Sequence, residues 1–297
     1  MLAGHMDEIG LIITHIDDSG FLKFLQLGGW WDQTLLSQRV IVKTHKGDVV
    51  GVVGAKPPHL LSADERSKMV EKKDMYIDIG STSKAETEAA GVRVGDPVVP
   101  DSRFAIMAGG KTYLSKAFDN RVGCAVAIDV LRRFQNEAHP NDLYAVQTVM
   151  EEVGLRGATT SVRAVDPDVA IILEADIAGD VPGIKKEQSS VRLGGGPALS
   201  VFDARMIPNQ ALRHLIIDTA AEGGIPLQFA NMPGGATDGG AIHLHGLGVP
   251  TAVIGVPARH IHSHGSIIHR DDYDHAVQLV TAVVAKLHAA TVAGLTE

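Results

Sequence analysis

Two adjacent glutamates, Glu151 and Glu152, follow the apolar and β-branched stretch 143–150. We interpret this stretch as a buried β-strand, after which the chain turns into a helix. Ligands of open α/β sheets bind in the crevice beyond the carboxyl ends of the strands, which both side chains can reach. Like charges there repel each other unless a cation lies between them or one of them takes up a proton. The pair therefore predicts a divalent metal ion that one glutamate binds, while the other moves protons.

Further candidate ligands lie beside other apolar segments that have the character of core strands. They are His5, Asp119, Glu174 and His262. Ligands that are scattered through a sequence converge when each lies at the same edge of one parallel sheet. Two imidazoles with several carboxylates suit Zn²⁺, Co²⁺ or Mn²⁺ and contain too much nitrogen for a dedicated Ca²⁺ site. Two such ions bridged by a carboxylate form a common hydrolytic arrangement, in which a nearby carboxylate takes a proton from water.

The elements that must position these residues fall into two regions. Short apolar runs separated by Gly, Asp and Ser turns predict an all-β domain over residues 11–103. Strands alternating with helices predict a mostly parallel α/β sheet, covered on both faces, over residues 1–10 and 104–297. The predicted fold class is therefore α/β with a small β-barrel-like domain inserted between His5 and Asp119. An insertion leaves its two ends close together, so both residues remain available to one site.

Individual elements follow from apolar spacing and turn residues. In the β domain we predict a hairpin at 46–48, a weakly helical charged segment over 62–73 and a strand pair over 92–99. In the α/β domain the main predicted strands are 142–150, 170–174 and 251–255, and the main predicted helices are 120–136, 208–222 and 271–293.

The composition is that of a globular protein and argues against some partners. The chain has 297 residues, of which 45% are hydrophobic and 21% charged, and its net charge of −8 disfavours nucleic acid and anionic membranes. We expect neither a membrane span nor a secretory leader. Cys124 is the only cysteine, which excludes an internal disulfide and suits a reducing cytoplasm. Its position inside an apolar helical segment predicts a core residue.

Five motifs, in order along nearly the whole chain, resemble those of the M42 family of metallo-aminopeptidases, which contains glutamyl aminopeptidases and tetrahedral (TET) peptidases. The motifs are Gly4-His5-Met6-Asp7-Glu8-Ile9-Gly10, Ala117-Phe118-Asp119-Asn120-Arg121, Glu151-Glu152-Val153-Gly154-Leu155-Arg156-Gly157-Ala158, Gly235-Ala236-Thr237-Asp238 and Arg259-His260-Ile261-His262-Ser263. Any one of them alone would be weak, whereas five in order make the resemblance specific.

The resemblance implies a role for each candidate residue in a site with two divalent metal ions per subunit, zinc or cobalt, with manganese as an alternative. The implied metal ligands are His5 and Glu174 on one ion, Glu152 and His262 on the other, and Asp119 as the bridge. Glu151 would be the general base for a metal-bridged water, and Asp7 would orient the His5 ring. Thr237 and Asp238 would line the substrate site.

Two features depart from the family pattern. At position 174 the family usually has Asp, and Glu174 is longer by one methylene. Asp176 lies two residues further on and is the alternative ligand. Helices and a strand also precede the His5 motif in the family, so we expect that an upstream segment is missing from this chain.

The resemblance implies a cytoplasmic aminopeptidase that removes N-terminal residues from short peptides. It also implies a PDZ-like inserted domain that forms dimers, and dimers that assemble into a hollow homododecamer. One alternative is another metallohydrolase on the same scaffold, such as a deacylase, a carboxypeptidase or an endoglucanase, although glycosidases ordinarily use two carboxylates without metal. The other alternative is a non-catalytic assembly subunit.

Overall fold

The computed structural model describes residues 1–296, which divide into two compact units. One unit comprises Met1–Asp7, Phe104–Ile261 and the chain from Ser266 onward, and the other comprises Glu8–Arg103 with His262–Gly265. The first unit is a mixed α/β structure and the second contains a closed β-barrel. The predicted fold class is therefore confirmed.

The chain starts with strand β1 (Leu2–His5) of the α/β unit and then forms the barrel. The strands of the barrel are β2 (Gly10–Ile16), β3 (Leu22–Leu27), β4 (Arg39–Thr44), β5 (Gly47–Gly54), β6 (Tyr76–Asp78) and β7 (Pro97–Pro100). They pair antiparallel in the order β2-β3-β6-β5-β4-β7, and β7 closes the barrel against β2. Alternate side chains such as Leu11 and Ile13 point into its apolar core.

Two short helices accompany the barrel, α1 (Ala63–Arg66) and α2 (Lys84–Ala89). The predicted hairpin at 46–48 is confirmed, because β4 and β5 pair with Thr44 opposite Gly47. The prediction of a helix over 62–73 is too long, since Ser62 and Glu65 form a capping box on a single turn. The strand pair predicted over 92–99 is wrong, because the only strand there is β7.

The α/β unit contains the remaining elements. Its strands are β8 (Ala105–Ile106), β9 (Thr112–Ser115), β10 (Ala145–Thr148), β11 (Ala170–Ile177), β12 (Ala198–Asp203), β13 (Gln228–Met232), β14 (Thr251–Arg259) and β15 (Ser266–His269). Its helices are α3 (Phe118–Phe134), α4 (Arg156–Val165), α5 (Gln210–Glu222), α6 (Gly239–Ile242), α7 (Arg270–Lys286) and α8 (Ala289–Ala293).

Within residues 1–296 these strands and β1 form one nine-stranded sheet. Its centre is parallel, in the order β10-β1-β11-β14, and β15, β9 and β8 extend it antiparallel beyond β14. β12 and β13 branch from β14. His5 lies opposite Thr148 of β10, and Leu2 lies opposite Ile171 of β11. The segments that follow these parallel strands therefore leave the sheet at the same edge.

Helices cover both faces of the central sheet, and strand β11 makes this plain. Ile171 and Leu173 belong to an apolar cluster with α3, α5 and α7, whereas Ala170 and Ile172 belong to a second cluster with α4 and α6. Burial on both faces explains why β11 is apolar at successive positions instead of at alternate ones.

Three predicted elements differ from the structure in length. The strand predicted over 142–150 extends only from Ala145 to Thr148, and β11 continues beyond position 174. The predicted last helix is divided into α7 and α8. None of the helices in residues 1–296 has the length and apolar character that crossing a membrane requires.

Candidate active site

His5, the last residue of β1, is 2% exposed and faces several carboxylates. Its Nε2 atom lies 3.2 Å from Asp119 Oδ1, 3.4 Å from Glu174 Oε1 and 3.8 Å from Glu151 Oε2. These four residues are far apart in the sequence, and each was selected from it as a candidate. The structure therefore brings together the predicted residues that come from β1, the start of α3, the segment after β10, and β11.

Asn120 holds Asp119 beside Glu174. Its buried amide donates a hydrogen bond to the carbonyl oxygen of Leu173 over 2.8 Å, and its Oδ1 accepts one from the Gly123 N–H over 3.1 Å. The peptide bond between Asp119 and Asn120 is cis. A Cβ atom at position 123 would lie 2.1 Å from the Leu173 oxygen, so only glycine allows α3 to approach β11 this closely. Asn120, which follows Asp119, is thereby joined to Leu173, which precedes Glu174.

Asp7 holds the segment that carries the two glutamates. Its Oδ1 accepts a hydrogen bond from the Glu151 backbone N–H over 3.2 Å, and its Oδ2 accepts one from the Glu152 N–H over 3.3 Å. The main-chain oxygen of Asp7 lies 3.1 Å from His5 Nδ1. Arg121 also donates to the carbonyl oxygen of Met6 over 3.2 Å. Asp7 thus contacts both the imidazole and the glutamate pair.

The cluster contains more buried carboxyl groups than cationic groups. Burial raises the pKa of Glu151 to about 10, and the charge of Glu174 adds to the shift. Burial raises the pKa of Glu174 to about 7, although a charged His5 opposes this. Burial alone would lower the pKa of His5, but Glu174, Asp119 and Asp7 together raise it far above its ordinary value. Such a group of side chains favours bound protons or a bound cation.

The residues fit a divalent metal ion. Ligand atoms of His5, Asp119 and Glu174 all lie within 4.8 Å of one another. Glu174 Oε2 is buried and makes no hydrogen bond to any described residue. One imidazole nitrogen with carboxylate oxygens is a ligand set that suits zinc and its neighbours among the transition metals. The carboxylate of Asp176 instead accepts a hydrogen bond from the Ile177 N–H over 2.7 Å, so the geometry favours Glu174 as the ligand from β11.

Thr237 and Asp238 are buried, with exposures of 3% and 1%. The Thr237 hydroxyl donates to Asp203 Oδ2 over 3.1 Å, and it accepts a hydrogen bond from the Gly239 N–H over 3.3 Å. Asp238 Oδ2 accepts a hydrogen bond from the hydroxyl of Thr148, which lies opposite His5 in the sheet. Burial raises the pKa of Asp238. Contact of either residue with substrate remains a prediction.

His262 belongs to the second unit, in the loop that joins β14 to β15. Its Nδ1 atom lies 2.8 Å from the carbonyl oxygen of Gly29, a residue of the same unit. Its role as a ligand remains a prediction from the motif.

Asn120 and Thr148 are not among the residues that the sequence selects. Asn120 carried a usable signal, because it is a polar residue directly after Asp119 at the start of an apolar helix. Thr148 carried none, since threonine is common in strands and its partner Asp238 is 90 residues away.

The chain is similar to several known proteins in sequence and in fold. Residues 1–279 match the family described as M42 glutamyl aminopeptidase. The Escherichia coli (strain K12) protein described as "Putative aminopeptidase FrvX" is 42% identical over 97% of this chain and 80% of its own length. A TET aminopeptidase from the marine sediment archaeon Thaumarchaeota archaeon SCGC AB-539-E09 is 50% identical with a TM-score of 0.97, over 99% of this chain and 82% of that one.

A third protein, the TET1 peptidase of Pyrococcus horikoshii, is 31% identical with a TM-score of 0.86, over 96% of this chain and 83% of that one. Its description states that it can assemble into a tetrahedron or a large octahedral shell. The family match and the identities confirm both the predicted family and the predicted enzyme class. The chain therefore belongs to the M42 glutamyl aminopeptidase family of metallo-enzymes and is an aminopeptidase.

Proposed function

We propose that this aminopeptidase removes N-terminal residues from short peptides with two divalent metal ions per subunit and with Glu151 as the general base. The observation that supports this most is the convergence of three carboxylates on the buried Nε2 atom of His5. A structural ion pair would need only one carboxylate for one imidazole. The surplus of negative charge is what a cation-binding site requires.

The proposed ligands divide into two sets. His5 and Glu174 hold one ion, Glu152 and His262 hold the other, and Asp119 bridges them. The first set is supported by the distances around His5, and the second by the motifs. When bound, a divalent ion supplies a Lewis acid that polarises the scissile carbonyl and acidifies water. Zinc or cobalt, with manganese as the alternative, suits this mixture of nitrogen and oxygen donors.

The side chain of Glu151 is the proposed carrier of the proton. It takes a proton from the attacking water and gives it to the nitrogen of the leaving amine. Burial raises its pKa, which makes the ionised carboxylate a stronger base than an exposed glutamate. Asp7 holds the backbone N–H of Glu151 and thereby restricts where the carboxylate can lie. The buried Thr237 and Asp238 are proposed to shape the substrate side of the site.

We also propose a homo-oligomer, in which the barrel unit forms dimers and the dimers assemble into a dodecamer. The shells that the TET1 peptidase of Pyrococcus horikoshii forms support this part. Light scattering of the purified protein tests it, and a monomeric mass would refute it. A cytoplasmic location is a further part of the proposal, supported by the single and buried Cys124.

The enzymatic test is hydrolysis of a panel of aminoacyl amides and their N-acetylated forms, with added Zn²⁺ or Co²⁺ and with a chelator. We expect metal-dependent cleavage of the substrates with a free amine only, and the panel reveals which N-terminal side chain is preferred. Equal cleavage of the N-acetylated forms would point to a deacylase or endopeptidase. Activity on glucans that survives the chelator would point to a glycosidase. No cleavage of any substrate by protein that holds two metal ions would refute the proposal.

A further inference from the structure

Arg259, the last residue of β14, forms a two-pronged ion pair with Asp180. Its Nε atom donates to Asp180 Oδ1 over 2.9 Å, and its Nη2 atom donates to Oδ2. Both side chains are partly buried, with exposures of 33% and 26%. The guanidinium lowers the pKa of Asp180, so the carboxylate stays ionised at neutral pH. Pairs with this fork geometry fix orientation as well as distance.

The pair links the ends of two neighbouring parallel strands. Ile177, the last residue of β11, lies opposite Ala258, and the Ala178 N–H donates to the Ala258 carbonyl oxygen over 3.0 Å. Just beyond this last backbone hydrogen bond, the side chains of Asp180 and Arg259 connect the ends of the same two strands. Asp180 Oδ2 also accepts a hydrogen bond from the Leu193 N–H over 3.3 Å. The aspartate is therefore fixed from its own loop as well.

The loop that starts after Arg259 has an unusual backbone. His260 and His262 have φ angles of +63° and +58°, in the left-handed region that residues other than glycine rarely adopt. Such conformations persist when the surrounding structure determines them. At the base of this loop Arg259 lies opposite Ile267 of β15. Arg259 is therefore held through its backbone by β15 and through its side chain by Asp180.

We propose that Asp180 and Arg259 are positioning residues for His262, because they fix the residue from which the loop carrying this imidazole leaves the sheet. This inference rests on the proposed function, in which His262 is a metal ligand. Neither residue is catalytic, since neither takes part in the proposed ligand set or in proton transfer. They affect the affinity of the protein for the metal ion that His262 is proposed to bind.

The test measures metal content and metal affinity of the full-length protein, not activity alone. The variants are Arg259→Gln, Arg259→Lys, Asp180→Asn and His262→Ala, together with the double variant Arg259→Gln with His262→Ala. The control is Arg270→Gln, because Arg270 also forms an ion pair with an aspartate: its Nε donates to both carboxylate oxygens of Asp274 on α7. Circular dichroism and thermal unfolding establish that each variant is folded before metal is measured.

We expect Arg259→Gln and Asp180→Asn to weaken binding of one of the two ions by about 10- to 100-fold and to leave the other ion in place. Arg259→Lys keeps the charge but loses the fork, so its loss should be intermediate. The double variant should be no weaker than His262→Ala alone, because both changes act on one ligand. Arg270→Gln should bind both ions as the unmodified protein does.

Wild-type affinity for both ions in folded Arg259→Gln and Asp180→Asn, alongside loss of one ion in His262→Ala, would overturn the positioning role and leave the proposed function intact. Additive losses in the double variant would overturn it too. If His262→Ala keeps both ions at full affinity, the ligand assignment within the proposed function fails, and the positioning inference fails with it.

Discussion

The carboxylate of Asp7 accepts a hydrogen bond from the backbone N–H of Glu151, with 3.2 Å between Oδ1 and the nitrogen. The second oxygen accepts a hydrogen bond from Glu152, and the Oδ1 atom lies 3.5 Å from His5 Nδ1. Asp7 therefore does more than orient the His5 imidazole, which is the role that the family resemblance implied for it. It ties the end of β1 to the segment that carries both glutamates, so its removal should disturb both sides of the site.

Asp7→Asn is the variant that tests this link. An amide keeps the shape but presents an NH₂ group to one of the two N–H donors, which then has no acceptor. We expect kcat to fall about 10- to 100-fold and the free energy of unfolding to fall by about 1–3 kcal/mol. Steady-state kinetics and chemical denaturation measure the two effects. Asp17→Asn is the control, because a single oxygen of Asp17 accepts both of its backbone hydrogen bonds and an amide oxygen can replace it.

Glu151→Gln should separate proton transfer from metal binding. The amide cannot take a proton from water, so we expect kcat to fall by about 10²- to 10⁴-fold. The metal content should be unchanged, because Glu151 is not a proposed ligand. Elemental analysis beside the kinetic assay decides the matter: a variant that loses metal would show that Glu151 is a ligand and not the base.

Glu174 and Asp176 can be distinguished by paired variants. We expect Glu174→Gln to lose the metal ion that is held with His5, and Asp176→Asn to keep it. Glu174→Asp, which introduces the family's usual residue, should retain the ion with altered affinity, because the carboxylate is set back by one methylene. Isothermal titration with Zn²⁺ measures these differences. The opposite outcome for the first two variants would transfer the ligand role to Asp176.

Asp119→Ala should lose both metal ions, because the proposed bridging carboxylate belongs to both sites. Elemental analysis after dialysis gives the count directly. Asp129→Ala is a suitable control, since Asp129 lies on the same helix and interacts with Arg132 and Tyr273 instead. Two ions retained in Asp119→Ala would refute the bridge.

Metal-free protein should lose stability as the pH rises. Folding raises the pKa of Glu174 from 4.5 to about 7 and that of Glu151 from 4.5 to about 10, and it raises the pKa of His5 as well. The folded state therefore binds protons that the unfolded chain releases, and stability falls with rising pH, from about pH 5 through pH 8. Bound metal replaces those protons, so its binding should release them and should tighten as the pH rises.

Thermal unfolding at several pH values, with chelator and with Zn²⁺, measures the stability effect. Calorimetry in buffers of different ionisation enthalpy counts the protons released. A melting temperature of the chelated protein that rises between pH 5 and pH 8 would contradict the assignment of raised pKa values to this cluster.

Cys124 should be chemically inert in the folded enzyme. Burial raises the pKa of its thiol to about 11, and the thiol donates a hydrogen bond to the His5 carbonyl oxygen over 3.2 Å. We expect negligible alkylation by iodoacetamide at pH 8 and complete alkylation in guanidinium chloride, as measured by mass spectrometry. Rapid alkylation of folded protein would show that α3 opens locally. The prediction that Cys124 belongs to the core is confirmed by its burial.

The candidate residues of the site were easier to select from the sequence than the bounds of the elements that hold them. Glu151 is recognisable because a charged pair ends an apolar run, but the run itself is not all strand. Val149 and Met150 lie beyond β10, with exposures of 45% and 51%, and Met150 has a φ angle of +57°. Apolar side chains in a turn give the same sequence signal as apolar side chains in a strand.

The contacts that place the side chains depend on strand order, which no local pattern encodes. Asn120 meets the Leu173 carbonyl because β11 lies next to β1 and under α3. Thr148 meets Asp238 because α6, which begins just after Asp238, packs with α4, the helix that follows β10. Both relationships follow only from the assembled sheet. For the same reason the sequence left Glu174 and Asp176 as alternatives, and the geometry around His5 was needed to favour one of them.

The order of the strands also has a consequence for synthesis of the protein. β1 is made before β10 and β11, yet it pairs with both of these strands, which begin at Ala145 and Ala170. The barrel strands between them all lie within residues 10–100 and pair with one another, so every one of them is made before β10. A nascent chain can therefore complete its barrel before β10 and β11, the partners of β1, have been made. A chain released before residue 174 would lack one side of the cluster around His5, so retention of metal would distinguish complete chains from prematurely terminated ones.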